Sequence, residues 1–421
     1  MKFAHMADIH LGAHRQQTHL QKRELEVFTQ AMQECIDHDV DFILISGDFF
    51  HVGIPDLGIV NGAVRQMREV QKKGIPIYVI YGSHDYTPSG TSVIDILDTI
   101  GLVTNIEKRR MEDGKLKLDF FTDPKTGAKL AGIAARQQGL ESEYYEVLDR
   151  KRLEDESGFK IFAFHSGLNE FKPKYLSEMK TIPISNFPKG FDYYAGGHIH
   201  KRGEYKSPGY DKIIFPGPLF TGHGFKDIAD TAQGEGRGFY VVSFDDKVRD
   251  VEFVKVKSFD GIYRKLDVKG KTSIQADSTI QRELTNLDVN GKVVILKIEG
   301  ELSGGKTSDI KFLDIKSNLD KRGASQVYYN RYGLTSKEYS DVRVMGEDVS
   351  SIETKVFQEN LGSESLSHFP ISQRASAAEE LLRALRHSEK SNENVSEYKE
   401  RMTQDGIEVL KLKKMFEDGE Q

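Results

Sequence analysis

Along the first 257 residues, short apolar runs alternate with longer segments of mixed character. The runs are Phe3 to Ala7, Phe42 to Ser46, Ile77 to Ile80, Leu130 to Ala135, Ile161 to Phe164, Tyr193 to Ala195, Ile213 to Phe215 and Phe239 to Phe244. Each has strand length, and several are rich in Ile, Val, Phe and Tyr. Between the first two, Leu25, Phe28, Met32, Cys35 and Ile36 recur on one helical face, which predicts an amphipathic helix. Cys35 on that stripe reads as a small buried hydrophobe. Strands alternating with helices early, then strand-dense sequence, predict an α/β sandwich of sheets flanked by helices.

The pattern changes after residue 257. Residues 258–334 predict a small α/β module: a helix opening at Ser278, a strand at Val293 to Ile298, a helix from Ser308 to about Asp320, and a strand at Gln326 to Tyr329. A Gly-rich turn, Gly300 to Gly305, separates two of these elements. Residues 335–369 are polar, lack a clear period and read as a linker. Two amphipathic helices follow in 370–421, one carrying Ala378, Leu381, Leu382 and Leu385, the other Val409, Leu412 and Phe416. A polar break from Ser388 to Ser396 divides them, and no internal repeat is present.

Composition sharpens this picture. A chain of 421 residues exceeds one ordinary core, so two or three domains are expected. Apolar residues at 38% suffice for packed cores, which excludes wholesale disorder. Mean hydropathy is -0.50, and no apolar run approaches the roughly 20 residues of a membrane helix. The opening MKFAHMADIH lacks the apolar stretch of a signal peptide. With Cys35 the sole cysteine, no internal disulfide and no cysteine-based zinc site can form. The expectation is a soluble, cytoplasmic protein without a membrane segment. A net charge of -6 argues against indiscriminate binding to polyanions, though a local metal site or basic patch can still attract them.

The histidines carry the chemistry. Of 13, eleven fall between His5 and His223. Five apolar runs end directly in metal-type ligands: Asp8-Ile9-His10, Gly47-Asp48, Gly82-Ser83-His84-Asp85, His165-Ser166-Gly167 and Gly197-His198-Ile199-His200. Loops leaving the carboxyl ends of neighbouring strands converge in one crevice, so ligands remote in sequence can meet there. Glycines beside Asp48, His84, His165 and His198 let the backbone turn sharply. Carboxylates mixed with imidazoles suit a pair of Mn²⁺, Fe²⁺ or Zn²⁺ ions rather than a calcium cage. Two such ions about 3.5–4 Å apart can clamp a phosphodiester during in-line displacement.

The segments DIH, SGDFFH, YGSHD, FHSG and GGHIH, in that order, resemble the motifs of calcineurin-like metallophosphoesterases. DIHLG, the GDFFH form of the second motif, FPGPLF, the small module and the helical tail are similar to the double-strand-break repair nucleases called Mre-eleven in archaea and eukaryotes and SbcD in bacteria. The resemblance implies a sandwich of two mixed sheets in 1–257, an α/β capping domain in 258–334, a linker in 335–369 and a partner-binding tail in 370–421. It implies a DNA exonuclease/endonuclease with two divalent ions, most simply Mn²⁺, working in DNA repair as a homodimer. Its partners would be DNA ends and an SMC-like ABC ATPase that the tail binds. Asp8, His10 and His200 would ligate one metal, His165 and His198 the other, and Asp48 would bridge both. His84 would be the non-ligand histidine that stabilises the developing charge or protonates the leaving alkoxide, with Asp85 orienting it through its other ring proton.

Ser83 departs from the family pattern, which places an Asn ligand there. A shorter, poorer hydroxyl donor implies a second metal held more weakly. Two other readings stay open: a phosphoesterase of small substrates, which would share every ligand, and a DNA-end scaffold whose metal site is weakened by Ser83. His51 fits a substrate-phosphate contact and a supporting role equally. His14 and Arg15 are expected in a solvated loop, His5 in the core, and Phe49 and Phe50 in core or rim packing, while His223 has no assignment. Lys265, Lys269, Lys271, Lys292, Lys297, Lys306 and Arg331 read as ordinary surface, although the resemblance implies that their module helps seat DNA.

Overall fold

A computed structural model describes residues 1–337, apart from 88–89, 137–138 and 177, and residues 371–412, apart from 388–389, 391–392 and 394. The chain divides into two compact units. One comprises Met1–Asp267, Asp277–Glu299 and Lys311–Gly333; the other comprises Val268–Ala276, Gly300–Ile310 and Leu334–Gln421.

The first unit is built on two six-stranded mixed sheets. In one, Lys2–Met6, Phe42–Ser46, Ile77–Ile80 and Thr104–Asn105 run parallel, and the antiparallel strands Arg237–Phe244 and Val248–Val256 extend the edge. In the other, Lys129–Ile133, Lys160–His165, Tyr193–Gly197 and Tyr210–Phe215 run parallel between two antiparallel edge strands, Phe121–Thr122 and Gly203–Ser207. All eight predicted runs are strands. This is the α/β sandwich expected from the run pattern.

Side-chain alternation explains why the sheets face each other. Along Lys160–His165, Ile161 and Ala163 join the core shared with Phe3, Phe42 and Tyr193, whereas Phe162 and Phe164 join a second core with Tyr145, Phe187 and Phe191. Phe3 meets Tyr193 edge-on at 5.1 Å, one of the contacts between the inner faces. His5 lies between the sheets, as expected. It is fully buried, 2.9 Å from the Tyr193 hydroxyl and 3.0 Å from Ser46 Oγ. Burial pulls its pKa down to about 3, so it is a neutral structural residue.

The predicted helix spans Thr18–Asp37 and buries Phe28, Met32 and Cys35. Burial pushes the Cys35 thiol well up, so it packs as a hydrophobe. Phe49 and Phe50 are core residues, stacked edge-on at 4.7 Å.

A third sheet, Gly261–Asp267, Val293–Leu302 and Gln326–Asn330, is parallel throughout. Two details differ from the sequence reading. The helix expected from Ser278 opens at Ser273, because Thr272 and Gln275 cap it reciprocally: each backbone N–H donates to the other side chain. The strand expected to stop at Ile298 runs to Leu302, so Gly300 is a strand residue and the following turn is shorter. The later helix is divided into a 3₁₀ turn, Thr307–Asp309, and an α-helix, Phe312–Lys321.

In the second unit, helix Ile371–Leu385 carries the predicted Ala378, Leu381, Leu382 and Leu385, whereas the second helix, Val395–Val409, opens inside the expected polar break and ends at Val409, so Leu412 lies beyond it. Phe416 and most of the predicted linker lie outside the described residues. Among the described residues, no helix is long and apolar enough to cross a membrane.

Candidate metal centre

The crevice forms where five parallel strands end. Lys2–Met6, Phe42–Ser46, Ile77–Ile80, Lys160–His165 and Tyr193–Gly197 point their carboxyl ends to one edge of the sandwich. Backbone hydrogen bonds pin the first two loops together: Asp8 N–H to Gly47 O at 3.1 Å, His10 N–H to Asp48 O at 2.9 Å, and His51 N–H to Leu11 O at 3.0 Å.

The backbone is strained where the candidate ligands sit. Of eight non-glycine residues with positive φ among the described residues, four are Asp8 (51°), His10 (50°), Asp48 (52°) and His198 (82°). Such conformations cost about 1–3 kcal/mol each and persist where surrounding structure imposes them. Glycines make the close approaches possible. A Cβ on Gly197 would stand 2.1 Å from Ser46 O and 2.7 Å from His165 Nδ1.

Two donor sets emerge. Asp8, His10 and His200 each offer one atom within 4.8 Å of the others, and so do Asp48, His165 and His198. Asp48 Oδ2 stands 3.6 Å from His10 Nε2 and 3.1 Å from His165 Nε2, so its carboxylate lies between the sets. The residues expected to meet are therefore brought together. Ser83 lines the same crevice of about 430 Å³, beside His84 and His198.

The electrostatics suit cations. Asp8 Oδ2 is buried with no hydrogen-bond partner among the described residues, a lone pair the fold leaves available. Burial holds His198 down at about 3 and His10 well below its ordinary value, so both are neutral imidazoles, the ligating form. Burial opposes the charge of Asp48, but His165, His10 and His84 around it outweigh that and keep it ionised. Burial also opposes charge on His165, yet Asp48 and Asp8 hold its pKa up at about 10. The two carboxylates thus demand positive charge between them, which two divalent cations would satisfy.

Neighbouring groups set the tautomers. His165 Nδ1 donates to Ser46 O at 2.7 Å, leaving Nε2 toward Asp48. His200 Nδ1 donates to Asp227 Oδ2 at 2.9 Å, and its Nε2 faces His10 Nε2 at 3.0 Å. Asp227, on the helix Phe225–Ala232, escaped the sequence reading; its only signal is its place in the first turn after the FPGPLF loop. Asp227→Asn keeps the shape and removes the charge. Affinity for divalent metal is expected to fall about 10- to 100-fold, read by calorimetric Mn²⁺ titration.

His84 has a different support from the one expected. Its Nδ1 donates to the His51 carbonyl at 2.8 Å, leaving Nε2 free. Asp85, assigned to orient it, instead accepts the backbone N–H groups of Gly82 (2.9 Å), Phe50 (3.1 Å) and Phe49 (3.3 Å). Its buried carboxylate ties two loops together, and the ring proton it was expected to accept goes to the His51 carbonyl. The pairing of His84 with a neighbour two loops away left no trace in local sequence. His51 also stacks on His84, rings 4.9 Å apart.

His14 corrects another expectation. It is buried rather than solvated, packs edge-on to Phe220 at 5.5 Å, and is held by burial down at about 4; Arg15 is exposed as expected. Glu24, also buried and unremarked in the sequence, accepts the Gly12 N–H, and burial pushes its pKa up to about 8.

Comparison with known proteins agrees with this architecture. Residues 1–202 match the calcineurin-like phosphoesterase family. The chain is 28% identical over 376 residues to the DNA double-strand break repair protein Mre11 of Methanococcus maripaludis, covering 85% of this chain and 90% of that one. It is 26% identical to the Mre11 of Methanopyrus kandleri (76% of this chain, 69% of that one) and 25% identical to that of Methanocaldococcus jannaschii (76% and 86%). Residues 1–202 thus match a calcineurin-like phosphoesterase domain, and the chain is similar to archaeal Mre11 proteins over most of its length.

Proposed function

We propose that this chain is the nuclease subunit of a DNA double-strand-break repair complex, hydrolysing phosphodiester bonds at DNA ends with two divalent ions, Mn²⁺ in the simplest case. The observation that carries this reading is the Asp48 carboxylate set between two separate His/Asp donor sets in one crevice. Asp8, His10, His200 and Asp48 would hold one ion; Asp48, His165, His198 and Ser83 the other. Bound there, divalent ions supply Lewis acidity toward the phosphoryl oxygens.

The protein's own groups do the rest. Strained loops hold the donors in place before substrate arrives, so little reorganisation is left to the reaction. Ser46 O and Asp227 keep the Nε2 atoms of His165 and His200 directed inward. His84, with Nδ1 committed to the His51 carbonyl, presents Nε2 to carry a proton to the leaving oxygen.

Residues 258–334 would act as a capping domain beside the nuclease domain 1–257. Some of their lysines are paired locally, Lys265 with Glu299 at 2.6 Å and Lys292 with Asp288 at 2.8 Å. Residues 370–421, joined by the linker 335–369, would bind an SMC-like ABC ATPase, and two copies of the chain would form a homodimer at DNA in the cytoplasm. Deleting residues after Phe369 is expected to spare the nuclease activity of the isolated subunit and abolish co-purification with the ATPase.

The test is hydrolysis by the purified chain with Mn²⁺ on linear DNA and on a small chromogenic diester. Cleavage of DNA supports the reading. Cleavage of the small diester alone identifies a small-substrate phosphoesterase, and cleavage of neither a DNA-end scaffold. Ser83→Asn bears on the second metal: the amide oxygen reaches further, so activity is expected to saturate at lower Mn²⁺. An unchanged Mn²⁺ dependence would remove Ser83 from the ligand position.

A further inference from the structure

His223 had no role in the sequence reading, and the two metal sets do not use it. Its ring centroid lies 5.0 Å from that of His10, 4.9 Å from His51, 5.1 Å from His84 and 5.4 Å from His200. It therefore stands over the centre of the histidine cluster. His10 is buried, whereas His223 is exposed and lines the crevice with Asp48, His84 and His198.

Its position is built into the fold. On one side, Gly222 has φ +71°, and a Cβ there would stand 2.6 Å from Asp227 Oδ2 and 2.9 Å from His200 Nδ1. Only glycine lets the loop pass this close. On the other side, Gly224 N–H donates to Asp227 Oδ2 at 3.2 Å. Thr221, fully buried, has its Oγ1 2.9 Å from Thr231 Oγ1. The helix Phe225–Ala232 thus clamps the loop on both sides of His223, with the same Asp227 that orients His200.

We propose that His223 is a phosphate-binding residue, its imidazole taking a non-bridging phosphoryl oxygen of the substrate across the crevice from the metal ligands. The inference deepens the two-metal phosphodiesterase reading and rests on it. Once the donor sets and His84 have their tasks, His51 and His223 remain; His51 is half-buried and stacked on His84, so His223 is the exposed imidazole of the pair, on the open side of the cluster. A hydrogen bond from a fixed ring to a charged oxygen holds the phosphate without asking the loop to reorganise.

One alternative occupant must be separated, because His10, His51 and His223 also offer nitrogens within 4.8 Å of one another. The experiment uses the full chain, loaded with Mn²⁺, and two measurements: bound Mn²⁺ per chain, and affinity for inorganic phosphate from ³¹P line broadening. In His223→Ala, phosphate affinity is expected to fall about tenfold, the loss of one hydrogen bond to a charged oxygen, with bound Mn²⁺ unchanged. His223→Gln, which retains a donor, should recover part of that loss, and KM for linear DNA should rise more than kcat falls. Unchanged phosphate affinity overturns the proposal. Loss of one Mn²⁺ also overturns it and makes His223 a metal ligand. If the unsubstituted chain cleaves no diester while its phosphate affinity still depends on His223, the nuclease reading fails and the phosphate site stands.

Discussion

Asp48→Asn is expected to lower metal-dependent hydrolysis by about a thousandfold or more, the rate equivalent of several kcal/mol of charge stabilisation. The substitution is chosen for its backbone. Asp48 has φ +52°, and Asn is among the few residues that adopt this left-handed region readily. Its carbonyl oxygen can still accept the His84 N–H that Asp48 Oδ1 accepts at 2.8 Å. What is lost is the negative charge between His10 and His165. Bound Mn²⁺ per chain, measured after dialysis, should fall with activity while circular dichroism stays that of the unsubstituted protein. An Asp48→Asn chain that retains full metal content and rate would take Asp48 out of the site altogether.

His84→Ala is expected to reduce the rate about 10²- to 10⁴-fold, the range of a lost general acid, and to leave metal content unchanged. The second half is the informative one. His10, Asp48 and His84 also have donor atoms within 4.8 Å of one another, so geometry alone permits His84 to ligate. Its Nδ1 bond to the His51 carbonyl leaves a single free nitrogen. If that nitrogen carries a proton to the leaving oxygen, metal binding survives the substitution and the rate does not. A parallel loss of metal and rate would instead make His84 a ligand.

Much of the site was legible because its chemistry sits at the ends of strands. A run such as Phe42 to Ser46 announces a buried strand, and the Gly47-Asp48 after it announces a turn bearing a carboxylate. The same logic located Asp8, His10, His84, His165, His198 and His200, all now in one crevice or its wall. Asp85 shows where that logic stops. A carboxylate next to a histidine in sequence looked like its orienting partner, yet the turn directs the Asp85 oxygens at three backbone N–H groups. His14 failed for a related reason: a polar residue in a loop reads as solvated until Phe220, over 200 residues later, covers it.

The sequence by itself determined the strands, the long first helix, the residue types at the crevice and the family motifs, because period and ligand spacing are local properties. Only the tertiary structure decided which groups orient those candidate ligands. The His51 carbonyl on His84, Ser46 O on His165 and Asp227 on His200 are contacts across 27 to 119 residues. Such contacts depend on how the strand ends and loops pack together, which no local pattern encodes. The place of His223 belongs to the same class, for its loop means little until the helix carrying Asp227 clamps it beside His200.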